Sequence, residues 1–133
     1  MINKKVVFCI PVRNESSNLK SLFKTLDKLN LKFEDYFIIF VESDSSDNSS
    51  DLIKKYLERR KGVLINKNLQ GIENRVMRLA ISRNEYLNFI KNDQNLKTYD
   101  LMIVLDCGGV NGSLTAKKVR KAILENENSI GIF

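Results

Sequence analysis

The sequence contains no histidine and no tryptophan, one proline and two cysteines. Without histidine, serine–histidine and cysteine–histidine catalysis are excluded, and so is zinc held by imidazole nitrogens. A metal bound by this chain would be held by oxygen atoms, which favours Mg²⁺ or Mn²⁺. Cys9 and Cys107 lie within or beside predicted strands and are too few for a disulfide framework. We therefore expect reduced thiols in a cytosolic protein.

Long apolar runs and a signal peptide are also missing, because the first residues lead directly into a predicted strand. We expect no transmembrane segment, and a location in the cytoplasm or peripherally at a membrane. The net charge of +6 suits nucleic acid, an anionic membrane face or phosphorylated small molecules. Basic and aromatic residues are not interleaved as they are in a base-stacking surface, so we expect no nucleic-acid partner.

Short apolar runs alternate with segments of helical periodicity along the chain. The runs predict strands buried on both faces, and they cover residues 6–10, 37–41, 63–65 and 101–105. Helical spacing covers residues 19–30, 52–57 and 72–92, and a basic helix follows Gly112. This alternation predicts an α/β domain with a Rossmann-like, doubly wound, mostly parallel sheet and helices on both faces. The chain stops within a predicted fifth strand, residues 130–133, which is typical of a piece of a longer domain.

Polar residues follow three of the predicted strands, at the edge where open α/β sheets bind ligands. They are Arg13, Asn14 and Glu15, then Glu42 and Asp44, then Asp106 with Gly108, Gly109 and Gly112 after it. A lone carboxylate before glycine-rich backbone suits a metal-bridged phosphate, although an aspartate can also simply begin a glycine turn. For Glu42 and Asp44, a ligand role and a solvated loop are equally open.

The predicted helix 72–92 carries an apolar stripe formed by Ile72, Val76, Leu79, Leu87 and Ile90. At 100° per residue, Arg83 falls within about 40° of the last four, which turns its guanidinium toward the sheet. A guanidinium there needs an anionic partner, either a strand-end acid or a bound phosphate. Arg78 is expected on the opposite, solvated side, and Arg75 flanks the stripe. The strand-end acids and Arg83 are thus expected to converge on one cleft.

Neither G-x-G-x-x-G nor G-x-x-x-x-G-K-[ST] occurs, so dinucleotide and P-loop sites lack their phosphate-binding glycines. Four other segments, taken together, resemble the N-terminal, nucleotide-sugar-binding half of a GT-A fold glycosyltransferase of family 2 or of the capsule-type mannosyltransferases. Ile10-Pro11-Val12-Arg13-Asn14-Glu15 is similar to P-x-x-N-E, Val41 to Asp47 to V-D-D-G-S-x-D, Arg83-Asn84 to the end of A-R-N, and Asp106-Cys107-Gly108 to D-x-D. The spacing from Arg75 to Arg83-Asn84 and the pair Tyr99-Asp100 favour the mannosyltransferase branch. Ser43 stands where the family has a second paired acid, and Gly108 where it has the second acid of D-x-D.

The resemblance implies that residues 1–133 form a single nucleotide-sugar-binding domain, the N-terminal part of a longer GT-A catalytic domain. It implies a UDP- or GDP-sugar donor, a Mn²⁺ or Mg²⁺ ion, and sugar transfer to a hydroxyl of a glycan or lipid-linked acceptor. The implied donor-binding residues are Pro11, Arg13, Glu15, Glu42, Asp44, Arg75, Arg83 and Asp106. Of these, Glu42 and Asp44 would contact the nucleoside, Arg83 the diphosphate, and Asp106 the ribose and the metal. Pro11, Arg13 and Glu15 would line the base pocket. The acceptor site and the catalytic base are expected after the fourth strand, and no catalytic residue is assigned.

Two other functions stay open. One is a non-catalytic, degenerate α/β module that binds a nucleotide or a partner without turnover, which Gly108 and the early end of the chain favour. The other is a nucleotidyltransferase that makes the sugar nucleotide. That fold usually has a glycine-rich basic loop after its first strand, and Val12-Arg13-Asn14-Glu15-Ser16 is not such a loop.

Overall fold

The computed structural model describes residues 2–107 and 116–125. In chain order the elements are β1 (Ile2–Val12), α1 (Ser16–Asn30), β2 (Phe33–Ser43), α2 (Ser49–Leu57), β3 (Gly62–Lys67), α3 (Arg75–Asn92), a 3₁₀ turn (Leu96–Thr98), β4 (Leu101–Val104) and α4 (Ala116–Glu125). The glycine positions after Asp106 and the predicted fifth strand lie outside the described residues. Among the described helices, none combines the length and the apolar character needed to cross a bilayer.

The strands form one parallel sheet in the order β3-β2-β1-β4. β1 pairs with β2 as far as Val12 opposite Glu42, and with β4 as far as Cys9 opposite Val104. The chain first moves outward from β1 to β2 and β3, and then adds β4 on the other side of β1. The strand order therefore reverses between β1 and β4, and open α/β sheets bind ligands at the carboxyl ends of strands beside such a reversal.

Each face of the sheet has its own apolar core, which confirms the predicted doubly wound fold. On one face the strands pack against α1, α2 and α4, through residues such as Leu22, Ile53 and Val119. On the other face they pack against α3 and the 3₁₀ turn, through Tyr86 and Leu96. Because strand side chains alternate between faces, odd-numbered residues of the apolar stretches of β1 and β2 face α3, and even-numbered residues face α1 and α2.

In the first turns of α3, the face turned to the sheet differs from the predicted one, whereas Leu87 and Ile90 of the predicted stripe do pack against the core on this side. The helix begins at Arg75, so Ile72 lies before it, while Val76 and Leu79 are 76% and 40% exposed. The residues buried on the helix are instead Arg78, Ser82 and Tyr86. The predictions of a sheet-facing Arg83 and a solvated Arg78 are wrong: Arg83 is exposed and Arg78 is buried. The reason is that the first turns of α3 pack beside polar strand ends and loop carbonyls, so the apolar stripe does not determine which side is buried there.

Candidate functional site

A cleft of about 270 Å³ lies at the carboxyl edge of the sheet, on the side covered by α3. It is formed by the end of β1 and the residues after it, the last residue of β2, the second residue after β4, and the beginning of α3 with the segment just before it. Its lining residues are Pro11, Val12, Arg13, Glu15, Ser43, Glu73, Arg75, Arg78, Leu79, Ser82 and Asp106. The cleft thus lies where the strand order reverses, the position at which this class of sheet binds ligands.

Side-chain alternation along the strands explains which strand-end residues reach the cleft. Pro11 and Ser43 continue the odd-numbered rows that face α3, and both line the cleft. Glu42 belongs to the opposite row and does not line it. Asp106 continues the row of Met102 and Val104, which also packs on the α3 side. Pro11, Ser43 and Asp106, at or just after the ends of three neighbouring strands, therefore lie at the same opening, and Val12 of the opposite row also lines it where β1 ends.

The loops that follow β1 and β2 are joined by hydrogen bonds. The amide of Asn14 donates to Ser45 Oγ at 2.9 Å, and Asn14 Oδ1 accepts from the amide of Ser46 at 2.7 Å. Asn14 has φ 52°, a left-handed conformation that asparagine adopts more readily than most residues. These bonds hold the two loops together beside the cleft.

A further connection tethers the end of β2 to the start of α3. Asp44, at φ 51°, accepts from the amide of Leu69 at 2.7 Å and from Arg78 Nη2 at 3.1 Å. The other terminal nitrogen of Arg78 donates to the carbonyls of Leu69 and Ile72, at 3.0 and 2.7 Å. Asp44, Leu69 and Arg78 therefore form a closed hydrogen-bonded ring. The ring holds the connection between β3 and α3 against the strand ends.

Glu42 also has a local partner. Its side chain is 6% exposed, and Oε1 accepts from the amide of Ser45 at 2.6 Å. Both acids predicted to contact a nucleoside, Glu42 and Asp44, are thus engaged in holding the loops. In the cleft itself, β2 presents the hydroxyl-bearing Ser43.

The charged groups at the cleft are of both signs. Arg13 and Arg75 are exposed, whereas the guanidinium of Arg78 is occupied within the ring. Glu15 and Asp106 both line the cleft, and the charges of both act on the thiol of Cys107. Burial chiefly raises the pKa of Cys107, and the charges of Glu15 and Asp106 add to that effect, to about 12. Cys107 is therefore a neutral, unreactive thiol below the cleft.

Another carboxylate supports the loops from the outside. The hydroxyl of Ser49 donates to Asp47 at 2.6 Å, and backbone amides of Ser49 and Ser16 donate to the same carboxylate. The Ser49 hydroxyl is the largest cause that lowers the pKa of Asp47 to about 2, with the amide bonds adding to it. Asp47 is consequently ionised at neutral pH and links the starts of α1 and α2.

The structure brings five of the predicted site residues together: Pro11, Arg13, Glu15, Arg75 and Asp106 line one cleft. It does not bring Glu42, Asp44 or Arg83 to that cleft. Sequence reasoning missed Glu73, Arg78 and Ser82, and it discounted Ser43. The alternation of strand side chains was the available signal for Ser43, and the four-residue spacing of Arg78 and Ser82 was the signal on α3.

The carboxylates at the cleft are the groups that could hold the expected Mn²⁺ or Mg²⁺ ion. Asp106 and Glu15 both line the cleft, and the described residues contain no group of three or more cysteine, aspartate or glutamate side chains that could hold a metal by themselves. Mg²⁺ is commonly bound by one or two carboxylates together with substrate phosphates and retained waters. Asp106 would therefore be the carboxylate that holds such an ion when a diphosphate occupies the cleft.

Comparison with known proteins gives a family and a fold. A family model described as glycosyl transferase family 2 matches residues 7–106. The crystal structure of S. aureus TarS residues 1–349 is similar in fold, with a TM-score of 0.54 and 17% sequence identity over 92% of this chain. The alignment covers 33% of the TarS structure, so this chain spans about a third of it. Among curated proteins, none matches.

Proposed function

The chain belongs to glycosyl transferase family 2, and on that premise we propose that its cleft binds the nucleotide-diphospho-sugar donor of a glycosyl transfer reaction. The observation that carries the proposal is the position of the cleft. It lies at the reversal of strand order, and exposed guanidinium groups from two separate elements line it. A diphosphate carries two or three negative charges, and arginine forks match phosphate oxygens.

The roles of the residues follow from their positions. Arg13, directly after β1, and Arg75, at the start of α3, bind the diphosphate from two sides of the cleft. Asp106 accepts hydrogen bonds from ribose hydroxyls. Pro11 and Glu15 line the wall of the cleft. Glu42 and Asp44 act indirectly, because their contacts fix the loops that carry the cleft.

The reaction is a displacement at the anomeric carbon of the donor sugar. An acceptor hydroxyl forms the new C–O bond and gives its proton to a general base, to which we assign no residue. The bond from the anomeric carbon to the diphosphate oxygen breaks, and its electron pair leaves with the diphosphate. Arg13 and Arg75 stabilise the charge that develops on that leaving group, since they are already positioned at the cleft. A divalent ion, for which Asp106 would supply a carboxylate, would add to this stabilisation of the leaving diphosphate.

The finer identity of the substrates is part of the same proposal. UDP- and GDP-sugars are the donors to be compared, and GDP-mannose is included because Arg83-Asn84 and Tyr99-Asp100 favour the mannosyl branch. The acceptor is a hydroxyl of a glycan or of a lipid-linked saccharide. We propose that the protein works in the cytoplasm, either free or peripherally at a membrane.

Titration calorimetry of the chain with UDP, GDP, UDP-glucose and GDP-mannose tests the proposal. Each ligand is titrated in EDTA and again with Mn²⁺, which measures any contribution of the metal. We expect at least one nucleotide to bind, and Arg13→Ala to weaken it by about tenfold or more, as expected for the loss of a charge-assisted contact. If no nucleotide binds under either condition, the proposal is wrong for this chain.

A non-catalytic, nucleotide-binding module is the second candidate, and one observation favours it. Where the family has a second acid after β2, the cleft has the neutral Ser43. Release of free sugar from a bound donor, or its transfer to added acceptors, distinguishes the two. Donor binding without either release or transfer supports the module, and turnover supports the transferase.

A further inference from the structure

Two serines at the cleft are nearly buried and have no hydrogen-bond partner for their hydroxyls. Ser43, at the end of β2, is 5% exposed, and Ser82, on α3, is 3% exposed. Both line the cleft. Within residues 2–107 and 116–125, neither hydroxyl donates to or accepts from another group, and neither is completely shut off from the cleft.

The neighbouring serines behave differently. Ser45 Oγ accepts from the amide of Asn14 at 2.9 Å, and the Ser49 hydroxyl donates to Asp47 at 2.6 Å. Polar groups that are removed from bulk water normally find such partners, because leaving them unpaired is costly. Ser43 and Ser82 are therefore exceptions within an otherwise well-bonded region.

Ser82 lies inside a helix, where a hydroxyl can usually bond to the backbone. A serine or threonine inside a helix can donate to the carbonyl four residues earlier, as Thr25 does to Ser21 O at 3.2 Å. Among the described residues, the Ser82 hydroxyl has no such acceptor, although the carbonyl of Arg78 is in the equivalent position. Its hydrogen-bonding capacity is left for whatever occupies the cleft.

We propose that Ser82, together with Ser43, binds the uncharged edge of the nucleobase and so favours nucleotides whose base has an amide-type edge. This inference rests on the proposed function. Arg13 and Arg75 are the exposed cations and suit phosphate, whereas a nearly buried, neutral hydroxyl suits a neutral group.

The chemistry of the hydroxyl narrows the ligand further. A hydroxyl donates one hydrogen bond and also accepts, whereas a carboxylate only accepts. Two hydroxyls can therefore donate to a ring carbonyl and accept from the adjacent ring N–H, an arrangement found in both uracil and guanine. The paired serines thus favour bases with an amide-type edge.

The test compares Ser43→Ala, Ser82→Ala and the double variant with the unchanged chain. UDP and GDP are titrated by calorimetry, and inorganic pyrophosphate serves as the probe that lacks a base. Each single variant should weaken the nucleotide that the unchanged chain binds by roughly five- to tenfold, the range for one hydrogen bond to a neutral group. Pyrophosphate affinity should stay the same.

Thermal unfolding provides the readout that a merely structural serine would change. Alanine removes an unpaired hydroxyl, so the midpoint of Ser82→Ala should stay the same or rise. Ser49→Ala removes a hydroxyl with partners and should lower it. Ser17→Ala, at an exposed position of α1, is the matched control and should change neither binding nor the midpoint.

The outcomes separate the inference from the function on which it rests. Binding by the unchanged chain tests the nucleotide-binding function, and the ratio of variant to unchanged affinity tests the serines. Three results would each overturn the base-binding role while leaving the nucleotide site in place. The first is that the variants bind the nucleotide as tightly as the unchanged chain, and the second is that they lose as much affinity for pyrophosphate as for the nucleotide. The third is that Ser43→Ala and Ser82→Ala lower the midpoint of thermal unfolding.

Discussion

Asp44 and Arg78, 34 residues apart in the sequence, form an ion pair in which Oδ2 and Nη2 are 3.1 Å apart. The side chains of Arg78 and Asp44 are only 9% and 18% exposed, lower than the values for the ion pairs Arg60–Asp27, Lys61–Asp35 and Lys67–Glu85. The pair joins the end of β2 to α3 and, through Leu69, fixes the connection that precedes the helix. Arg75, three residues before Arg78, reaches the cleft from this fixed position.

Replacing Arg78 by methionine should lower the free energy of unfolding by about 3 kcal/mol, because it leaves Asp44 as an unpaired, mostly buried charge and removes the donor to two carbonyls. Urea unfolding measures the change. The matched control is Lys61→Met, whose ion pair with Asp35 has side chains 59% and 28% exposed. An exposed pair contributes about 1 kcal/mol or less. Equal losses in the two variants would contradict the importance of the Asp44–Arg78 pair.

Replacing Gly62 or Gly71 by alanine should lower the free energy of unfolding, for a different reason at each position. A Cβ on Gly62 would lie 2.6 Å from both the carbonyl oxygen of Ile38 and Leu57 Cδ2, so we expect a loss of roughly 1–3 kcal/mol from overpacking. A Cβ on Gly71 has nothing within 4 Å, but its φ of +87° is strained for alanine. Urea unfolding with Gly71→Asn separates the two causes, because asparagine tolerates positive φ. It should be better tolerated than Gly71→Ala, whereas Gly62→Asn should be no better than Gly62→Ala.

The ionisation of Asp27 should make the free energy of unfolding depend on pH in the acid range. Burial alone raises the pKa of Asp27, but hydrogen bonds from Arg60 and Tyr56 and the charge of Arg60 outweigh it, and the folded pKa lies below the ordinary 3.8. The unfolded chain therefore binds a proton more readily. The stabilisation is present above pH 3.8 and is lost as the pH falls through the folded pKa.

Urea unfolding of the unchanged chain and of Asp27→Asn, measured across this acid range, checks that prediction. The stability advantage of the unchanged chain should narrow as the pH falls. In an Arg60→Met background the narrowing should largely disappear, because Arg60 is the main source of the shift. A difference that stays constant with pH would contradict the assignment.

The fold could be predicted because apolar runs alone define its strands. The predicted run 6–10 lies inside the observed Ile2–Val12, and 37–41 inside Phe33–Ser43. The observed strands are longer because pairing with neighbours continues past the apolar residues, for example from Lys5 opposite Asp35. Hydrophobicity marks where a strand is buried, whereas hydrogen bonding to its neighbours determines where it ends.

The site was predicted less completely because its geometry depends on contacts between distant residues. Arg78 is buried through Asp44 and Leu69, and neither contact is visible in the periodicity of α3. The strand-end acids were interpreted by charge alone. Counting alternate side chains from the apolar rows would have selected Ser43 for the cleft instead of Glu42.

The arginines of α3 offer the sharpest test of the cleft, because the resemblance implies donor contacts from both Arg75 and Arg83, whereas of these two only Arg75 lines the cleft. The resemblance implies that Arg83 contacts the diphosphate, whereas in the structure Arg75 lines the cleft and Arg83, two turns further along α3, does not. Arg75→Ala should therefore weaken UDP or GDP by about tenfold or more, since a charge-assisted contact is lost. Arg83→Ala should have an effect as small as Lys91→Ala, a control at an exposed position of the same helix.

Calorimetry at low and high salt completes this test. Loss of a direct guanidinium–phosphate contact removes part of the salt dependence of binding, whereas loss of a distant surface charge changes affinity only slightly and mainly at low salt. If Arg83→Ala removes binding and Arg75→Ala does not, the donor lies against another part of α3, and the assignment of the diphosphate to this cleft is wrong.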